Sequence, residues 1–470
     1  MKKILTWLLA TLISINLIAQ KSDKPNVLFI TIDDLRPELG CYGNQVIHSP
    51  HIDSLAGQGV LFLRAYAQVP VCGASRASMH TGIRPTKTRF TQAGTRIDKD
   101  TPNAVTIGQH FKENGYYTVS IGKVIHGKGD AAARSWTKYY PAENMFEYHN
   151  PDNLEYNKHP ENGYKRSYPF EITNEDVPDE EFLDVRALKT AVKELKNIKK
   201  SNKPFFLAVG FARPHLPFVA PKRYWDLYGK DDIKEADNYF YPKDAPKIAI
   251  SKWGELRAYR GIPKKGDIED KQMRLTLKHG YYACVSYADD LVGQLIRELK
   301  ELGLYDNTII VLWGDHGWQL GEHKEWAKHT NFDIALRVPL IIVAPDKLKG
   351  VKVNELVEMV DVFPTLSELA GLPVLDQNQG KSVVPLLEKE GAKDKPFSLS
   401  RWQKGDSYKT DRYRYTEFTD NNGKVIARML FDHQVDPEEN VNVAKLPEYK
   451  EVVHKLSKEL HQVQKEYDLE

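Results

Sequence analysis

Residues 26–32, Asn-Val-Leu-Phe-Ile-Thr-Ile, are almost unbrokenly apolar and β-branched, and the run stops at Asp33-Asp34. Without polar alternation, such a run predicts a strand covered on both faces. Residues 308–313 repeat the design and end in Gly314-Asp315-His316-Gly317. Helical spacing over 105–114, with Gly115 fitting the position just past the last turn, leads into a strand pattern over 116–121. An amphipathic helix over 183–200 precedes Pro204 and a strand over 205–209. A long helical pattern covers 268–302, with Gly280 placed to interrupt it and Gly303 to close it. A strand over 340–343 and a helix over 362–370 follow. Strands alternating with helices predict a mostly parallel sheet covered on both faces.

Two stretches, 130–180 and 213–265, are rich in Pro, Tyr, Asn and charge and have little periodicity. They read as long ordered loops, which in such a fold carry function. The pattern changes near 386–396. Beyond it, 397–400, 413–418 and 425–431 read as antiparallel strands, with Asn422-Gly423 as a hairpin turn, and a last helix covers 448–467. The expected division is a signal peptide over 1–20, a main domain over 21–390 and a small α+β subdomain over 391–470.

The signal peptide is read from Lys2 and Lys3, the apolar stretch 4–18 and the small Ala19. The stretch is shorter than a spanning helix of about 20 residues needs. The expectation is therefore a periplasmic or secreted protein without stable membrane insertion. Without Lys2 and Lys3, the 66 basic residues fall level with the 64 acidic ones. A neutral mature chain does not bind nucleic acid or other polyanions by bulk charge, so any anion site must be built locally. Three cysteines, Cys41, Cys72 and Cys284, are too few for a disulfide framework, and pairing of Cys41 with Cys284 stays open.

Adjacent carboxylates at the exit of a buried strand are costly unless a cation joins them. Asp33, Asp34 and Asp315 therefore suit a hard divalent cation with oxygen ligands, and His316 is placed to join or orient that site. Cys72 opens the run Cys-Gly-Ala-Ser75-Arg76-Ala-Ser78-Met-His-Thr-Gly82 at the expected start of a helix, where backbone N–H groups and an Arg serve an anion.

This run resembles the signature of the formylglycine-dependent sulfatases, with Ala74 where Pro is usual. The resemblance extends over most of the chain. Residues 26–36 look like the family's opening, and Gly122-Lys123-Val-Ile-His126 like its Gly-Lys-x-x-His segment. Pro214-His215-Leu-Pro217 looks like a loop supplying another active-site His. The run 313–333, Trp-Gly-Asp315-His316-Gly-Trp318 through Lys328 to Asp333, is closely similar to the iduronate-2-sulfatase branch. Residues 410–415 and 430–442 look like the C-terminal subdomain.

The resemblance implies an alkaline-phosphatase-like three-layer α/β sandwich and a sulfuric ester hydrolase from a polysaccharide-degrading bacterium. It implies that Cys72 is oxidised to formylglycine (3-oxoalanine) by a maturation enzyme. It further implies a metal, Ca²⁺ with Mg²⁺ as the alternative, held by Asp33, Asp34, Asp315, His316 and the modified Cys72. Lys123, Lys328 and His215 would hold sulfate, with His215 as acid, His126 as base and Arg76 stabilising the nucleophile. The implied substrate is a 2-O-sulfated uronic acid or similar sugar in oligosaccharides of glycosaminoglycan or ulvan type. Arg213 is a candidate contact for a substrate carboxylate and Trp318 for a sugar ring. Two other classes remain at this point: a phosphoesterase of the same superfamily, with two zinc ions, and a non-catalytic polysaccharide-binding homologue.

Overall fold

The computed structural model describes residues 24–161, 163–201 and 203–469, and the expected signal peptide lies outside them. Eight strands form the large sheet: β1 (Asn26–Ile32), β2 (Val60–Tyr66), β3 (Tyr117–Gly122), β4 (Lys138–Pro141), β5 (Phe205–Phe211), β6 (Thr308–Gly314), β7 (Arg337–Val343) and β8 (Val351–Glu358). Their order is β8-β2-β7-β6-β1-β5-β3-β4. Only β7 runs against its neighbours, pairing antiparallel with both β2 and β6. All other pairings are parallel.

Every residue of β1 and β6 is buried, as their unalternating patterns require. Leu28, Ile30 and Ile32 point to one face, into a core shared with helices α3 (Leu183–Ser201) and α4 (Lys271–Glu301). Val27 and Phe29 point to the other, against α1 (Cys72–Thr81), α2 (Ile107–Glu113) and α5 (Val362–Leu369). This is the expected three-layer arrangement. Among the described residues, no helix is long and apolar enough to cross a membrane.

The register positions the site. Ile32 of β1 pairs with Gly314 of β6, so Asp33 and Asp315 leave adjacent strands at the same level. On the other side, Ile32 pairs with Phe211, and Gly210 pairs with Gly122, which is followed by Lys123. Ligand sites of open α/β sheets lie beyond these carboxyl ends.

Helix α4 runs unbroken through Gly280, against the expected interruption. The glycine serves packing: a Cβ there would lie 2.8 Å from the Trp225 ring and 2.9 Å from Phe218 Cβ. Strands β2, β4 and β8 were not foreseen.

The C-terminal sheet is fully antiparallel: β9 (Ser398–Trp402), β10 (Gly405–Lys409), β11 (Tyr413–Thr419) and β12 (Val425–Asp432). Strand β10 was not foreseen either. Its Asp406 and Lys409 are buried yet satisfied, Asp406 by Arg401 and Gln464, Lys409 by His433. Helix α6 (Lys450–Glu466) covers one face with Leu456, Leu460 and Val463. The sheet is fastened to the larger one by buried polar contacts. Glu358 at the end of β8 receives both Arg84 nitrogens at 2.6 Å and the Leu399 N–H at 2.8 Å. Arg401 N–H donates to the Gln68 carbonyl at 2.7 Å. The three cysteines are free thiols, so Cys41 and Cys284 do not pair.

Because the Gly280 site is filled by ring and backbone-anchored atoms, Gly280→Val is expected to destabilise by about 2 kcal/mol. Thermal unfolding checks this, and an unchanged or raised midpoint contradicts the packing role.

Candidate active site

Cys72 is the first residue of α1, after the extended Val71, and is 2 % exposed. Its Sγ lies 3.2 Å from His316 Nε2 and 3.8 Å from Asp34 Oδ1. Asp33, Asp34, Cys72 and His215 offer ligand atoms within 4.8 Å of one another, and so do Cys72, Asp315 and His316. All the residues expected to hold a metal therefore meet around position 72. Asp34 adopts φ 62°, a left-handed geometry that Asp tolerates better than most residues. Its N–H donates to Asp315 Oδ1 at 3.0 Å, joining the two strand ends.

Arg76, one turn into α1, lies wholly buried behind these carboxylates. Its Nη2 donates to Asp33 Oδ1 at 2.8 Å, and its Nε to Asp315 Oδ2 at 3.0 Å. Its Nη1 donates to the carbonyls of Lys123 and Val124. Burial alone would raise the Asp33 pKa, but Lys123 and Arg76 outweigh it and hold this carboxyl well below the usual range. For Asp34, burial wins over Lys328 and the pKa is raised. Asp33 Oδ2 is buried without a hydrogen-bond partner. A carboxylate oxygen left over where three Asp side chains meet fits a hard divalent cation.

Lys123 Nζ is 3.6 Å from Asp33 Oδ2 and donates to His126 Nδ1 at 3.1 Å. Burial, then Lys123, lowers the His126 pKa to about 3, so this ring is neutral. Lys328 Nζ donates to Asp34 Oδ1 at 2.8 Å and pairs with Glu255 Oε2 at 3.0 Å. His215 Nε2 pairs with Glu255 Oε1 at 2.9 Å. Burial would lower the His215 pKa, but Asp34 and Glu255 raise it above the ordinary value. Burial, then Asp33, pushes the Cys72 thiol well above its usual range. An unmodified thiol here is protonated and a poor nucleophile.

Two expected substrate contacts adjoin site residues but are packed into the core. Arg213 is 1 % exposed, and its guanidinium donates to the carbonyls of Val219, Met145 and His215. Asp184 accepts the N–H groups of Ala212 and Arg213, which fixes this segment with the Arg turned inward. Trp318 is 2 % exposed and stacks on Tyr281 at 6.4 Å, with Lys328 Nζ 4.9 Å from its ring centre. It supports the lysine from the core and offers no free face to a sugar.

Glu255 was missed. It sits in the aperiodic loop 213–265, whose sequence carries no signal for which acid turns inward. A further acid–His cluster, Asp333, His433 and Glu439, lies under the C-terminal sheet, where Arg414 pairs with both acids and Lys409 contacts the His. It is a neutralised structural joint.

The Sulfatase family profile matches residues 25–372, and the profile described as N-sulphoglucosamine sulphohydrolase, C-terminal, matches residues 321–466. The chain is 37 % identical over 392 residues to iduronate 2-sulfatase of Mus musculus, covering 75 % of this chain and 70 % of that one. It is 31 % identical over 481 residues to a sulfatase of Formosa agariphila, covering 96 % and 89 %. Among solved structures, a phosphonate monoester hydrolase of Silicibacter pomeroyi has the same fold, with a TM-score of 0.76 at 22 % identity over 94 % and 96 % of the two chains. With this site at the strand ends, the chain belongs to the sulfatase family and is a sulfuric ester hydrolase.

Glu255 orients both His215 and Lys328 through one carboxylate. Glu255→Gln is expected to lower kcat/KM for a sulfate ester about tenfold, as loss of a supporting partner commonly does. An unchanged kcat/KM contradicts that role.

Proposed function

We propose that this chain is a secreted or periplasmic sulfatase that removes sulfate, at the 2-O position of a uronic acid, from ends of sulfated oligosaccharides of glycosaminoglycan or ulvan type. One observation carries the reading: Cys72 lies at the meeting point of three Asp carboxylates and His316, flanked by Lys123, Lys328 and His215. The 2-O and uronate assignment is supported by the likeness to iduronate 2-sulfatase. Preference for chain ends is supported by burial. Cys72, Lys123 and Lys328 are each at most 3 % exposed, which favours a sugar that enters end-on.

Asp33, Asp34, Asp315 and His316 would hold a divalent cation, Ca²⁺ or Mg²⁺, which would neutralise the charge of the bound sulfate. A formylglycine hydrate at position 72, made by a maturation enzyme, would supply two hydroxyls on one carbon, one to take the sulfuryl group and one to expel it. Lys123 and Lys328 bind the sulfate oxygens as buried cations. His215, whose pKa Asp34 and Glu255 raise, gives a proton to the leaving sugar oxygen. His126, beside the Lys123 ammonium, takes a proton during sulfate release. Arg76 keeps Asp33 ionised and holds both Asp33 and Asp315 in place. The two-zinc phosphoesterase reading is disfavoured because, among the described residues, only two His, His215 and His316, join these clusters around Cys72.

Intact mass of active protein is expected to be about 18 Da below that of the cysteine form, the change from CH₂SH to CHO. Cys72→Ala is expected to abolish release of sulfate from 2-O-sulfated uronate while leaving the thermal midpoint near that of the parent. Full activity in Cys72→Ala ends this reading.

A further inference from the structure

We propose that Glu325 is a positioning residue for the reaction, a buried and unpaired carboxyl that joins the segment carrying Lys328 to the segment carrying Glu255. The proposal rests on the reading above, in which Lys328 grips sulfate, and extends it. Glu325 is wholly buried. Among the described residues it is the one buried carboxyl with neither oxygen hydrogen-bonded. It lies in the short hairpin that pairs Gln319–Leu320 with Trp326–Ala327, just ahead of Lys328. Beside it are Ser251 and Arg257, from the segment that carries Glu255. Lys328 and Glu255 then meet in the ion pair that also aims His215.

The chain on either side of Glu325 is strained. His323, Lys324, Ala327 and His329 all adopt left-handed φ, between 56° and 69°. Residues with a Cβ hold such angles only where their surroundings over-determine them. The His323 ring packs on Phe332 at 4.7 Å, and Lys324 is tied to Asp267 at 2.7 Å. The anchor between them and Lys328 is the Glu325 carboxyl, set down in the core. The titratable groups that face it, Arg257, Asp267 and Tyr241, are engaged elsewhere. Arg257 donates to the carbonyls of Lys252, Pro263 and Gly266 and lies over the Trp253 ring at 3.6 Å. Asp267 accepts from Lys324 and from the Tyr241 hydroxyl, each at 2.7 Å. Burial raises the Glu325 pKa to about 9, against the pull of the Ser251 backbone and Arg257. The carboxyl is therefore neutral near pH 7 and avoids the cost of a buried charge. Once ionised it has no partner to hold it. It then draws in water or turns outward, the strained chain relaxes, and Lys328 shifts away from Glu255 and His215.

The test compares matured wild-type protein with Glu325→Gln, with Ca²⁺ present, by calorimetric binding of inorganic sulfate and by thermal midpoint. Between about pH 7.5 and 9.5, wild type is expected to lose about fivefold more affinity than Glu325→Gln, whose amide cannot ionise. Loss of the His215 proton is common to both proteins and cancels from the comparison. The folded pKa lies above that of a free Glu, so folding holds the proton, and wild-type stability falls as pH rises from 4.5 to about 9. The wild-type midpoint is expected to drop about 3 °C or more beyond that of Glu325→Gln between about pH 6 and 9. Glu325→Met, which fills the same space without a charge, replaces the amide variant if that one does not fold. Equal loss of affinity in both proteins, or parallel midpoints, overturns the proposal. A midpoint difference without an affinity difference overturns it as well, since the carboxyl would then serve stability alone. Sulfate bound but none released from 2-O-sulfated uronate, with both differences present, would instead sink the substrate reading and leave the role of Glu325 standing.

Discussion

The site depends on one buried guanidinium. Arg76 lies behind the carboxyl ends of β1, β6 and β3, and bonds to Asp33, to Asp315 and to the carbonyls of Lys123 and Val124. Asp33, Asp315 and Arg76 are each fully buried. Removing one partner of such a buried pair commonly costs about 3–5 kcal/mol, because an uncompensated charge is left behind. The parallel register brings the carboxylates level, and α1 brings the arginine to them. The same helix carries Cys72 one turn earlier, so Cys72 and the charge that organises its surroundings are fixed together.

The second level of organisation is a shared acid. Glu255 pairs with Lys328 and with His215, which come from different segments. Burial would raise its pKa, but Lys328 and His215 hold it well below the usual range. An ionised carboxylate at this point keeps Lys328 and His215 aimed into the site before any substrate arrives. Preorganised charge of this kind is where enzymes gain most of their transition-state stabilisation.

What could be read from the sequence follows from burial. Strands β1 and β6 are buried on both faces, so their apolar runs were legible, and the acids ending them stood out against that background. The C-terminal hairpin turn was legible because Gly423 adopts φ 80°. Strand β10 was not, because its Asp406, Ser407 and Lys409 are buried by pairing with other polar groups. Gly280 misled because its value lies in contact with Trp225 and Phe218, distant in sequence. Of the site residues, those at strand ends or in tight motifs converged as expected. Arg213 and Trp318 did not, since neither motif nor residue type tells which way a side chain turns. Glu255 needed the fold of a long loop to be recognised.

The assignment of Asp33, Asp34, Asp315 and His316 to one hard-cation centre is tested most directly by titrating metal-free protein with Ca²⁺ in a calorimeter. The expected result is a single Ca²⁺ per chain, with binding lost in Asp33→Asn. Binding of two zinc ions in preference to Ca²⁺, or Ca²⁺ binding that survives Asp33→Asn unchanged, would contradict it.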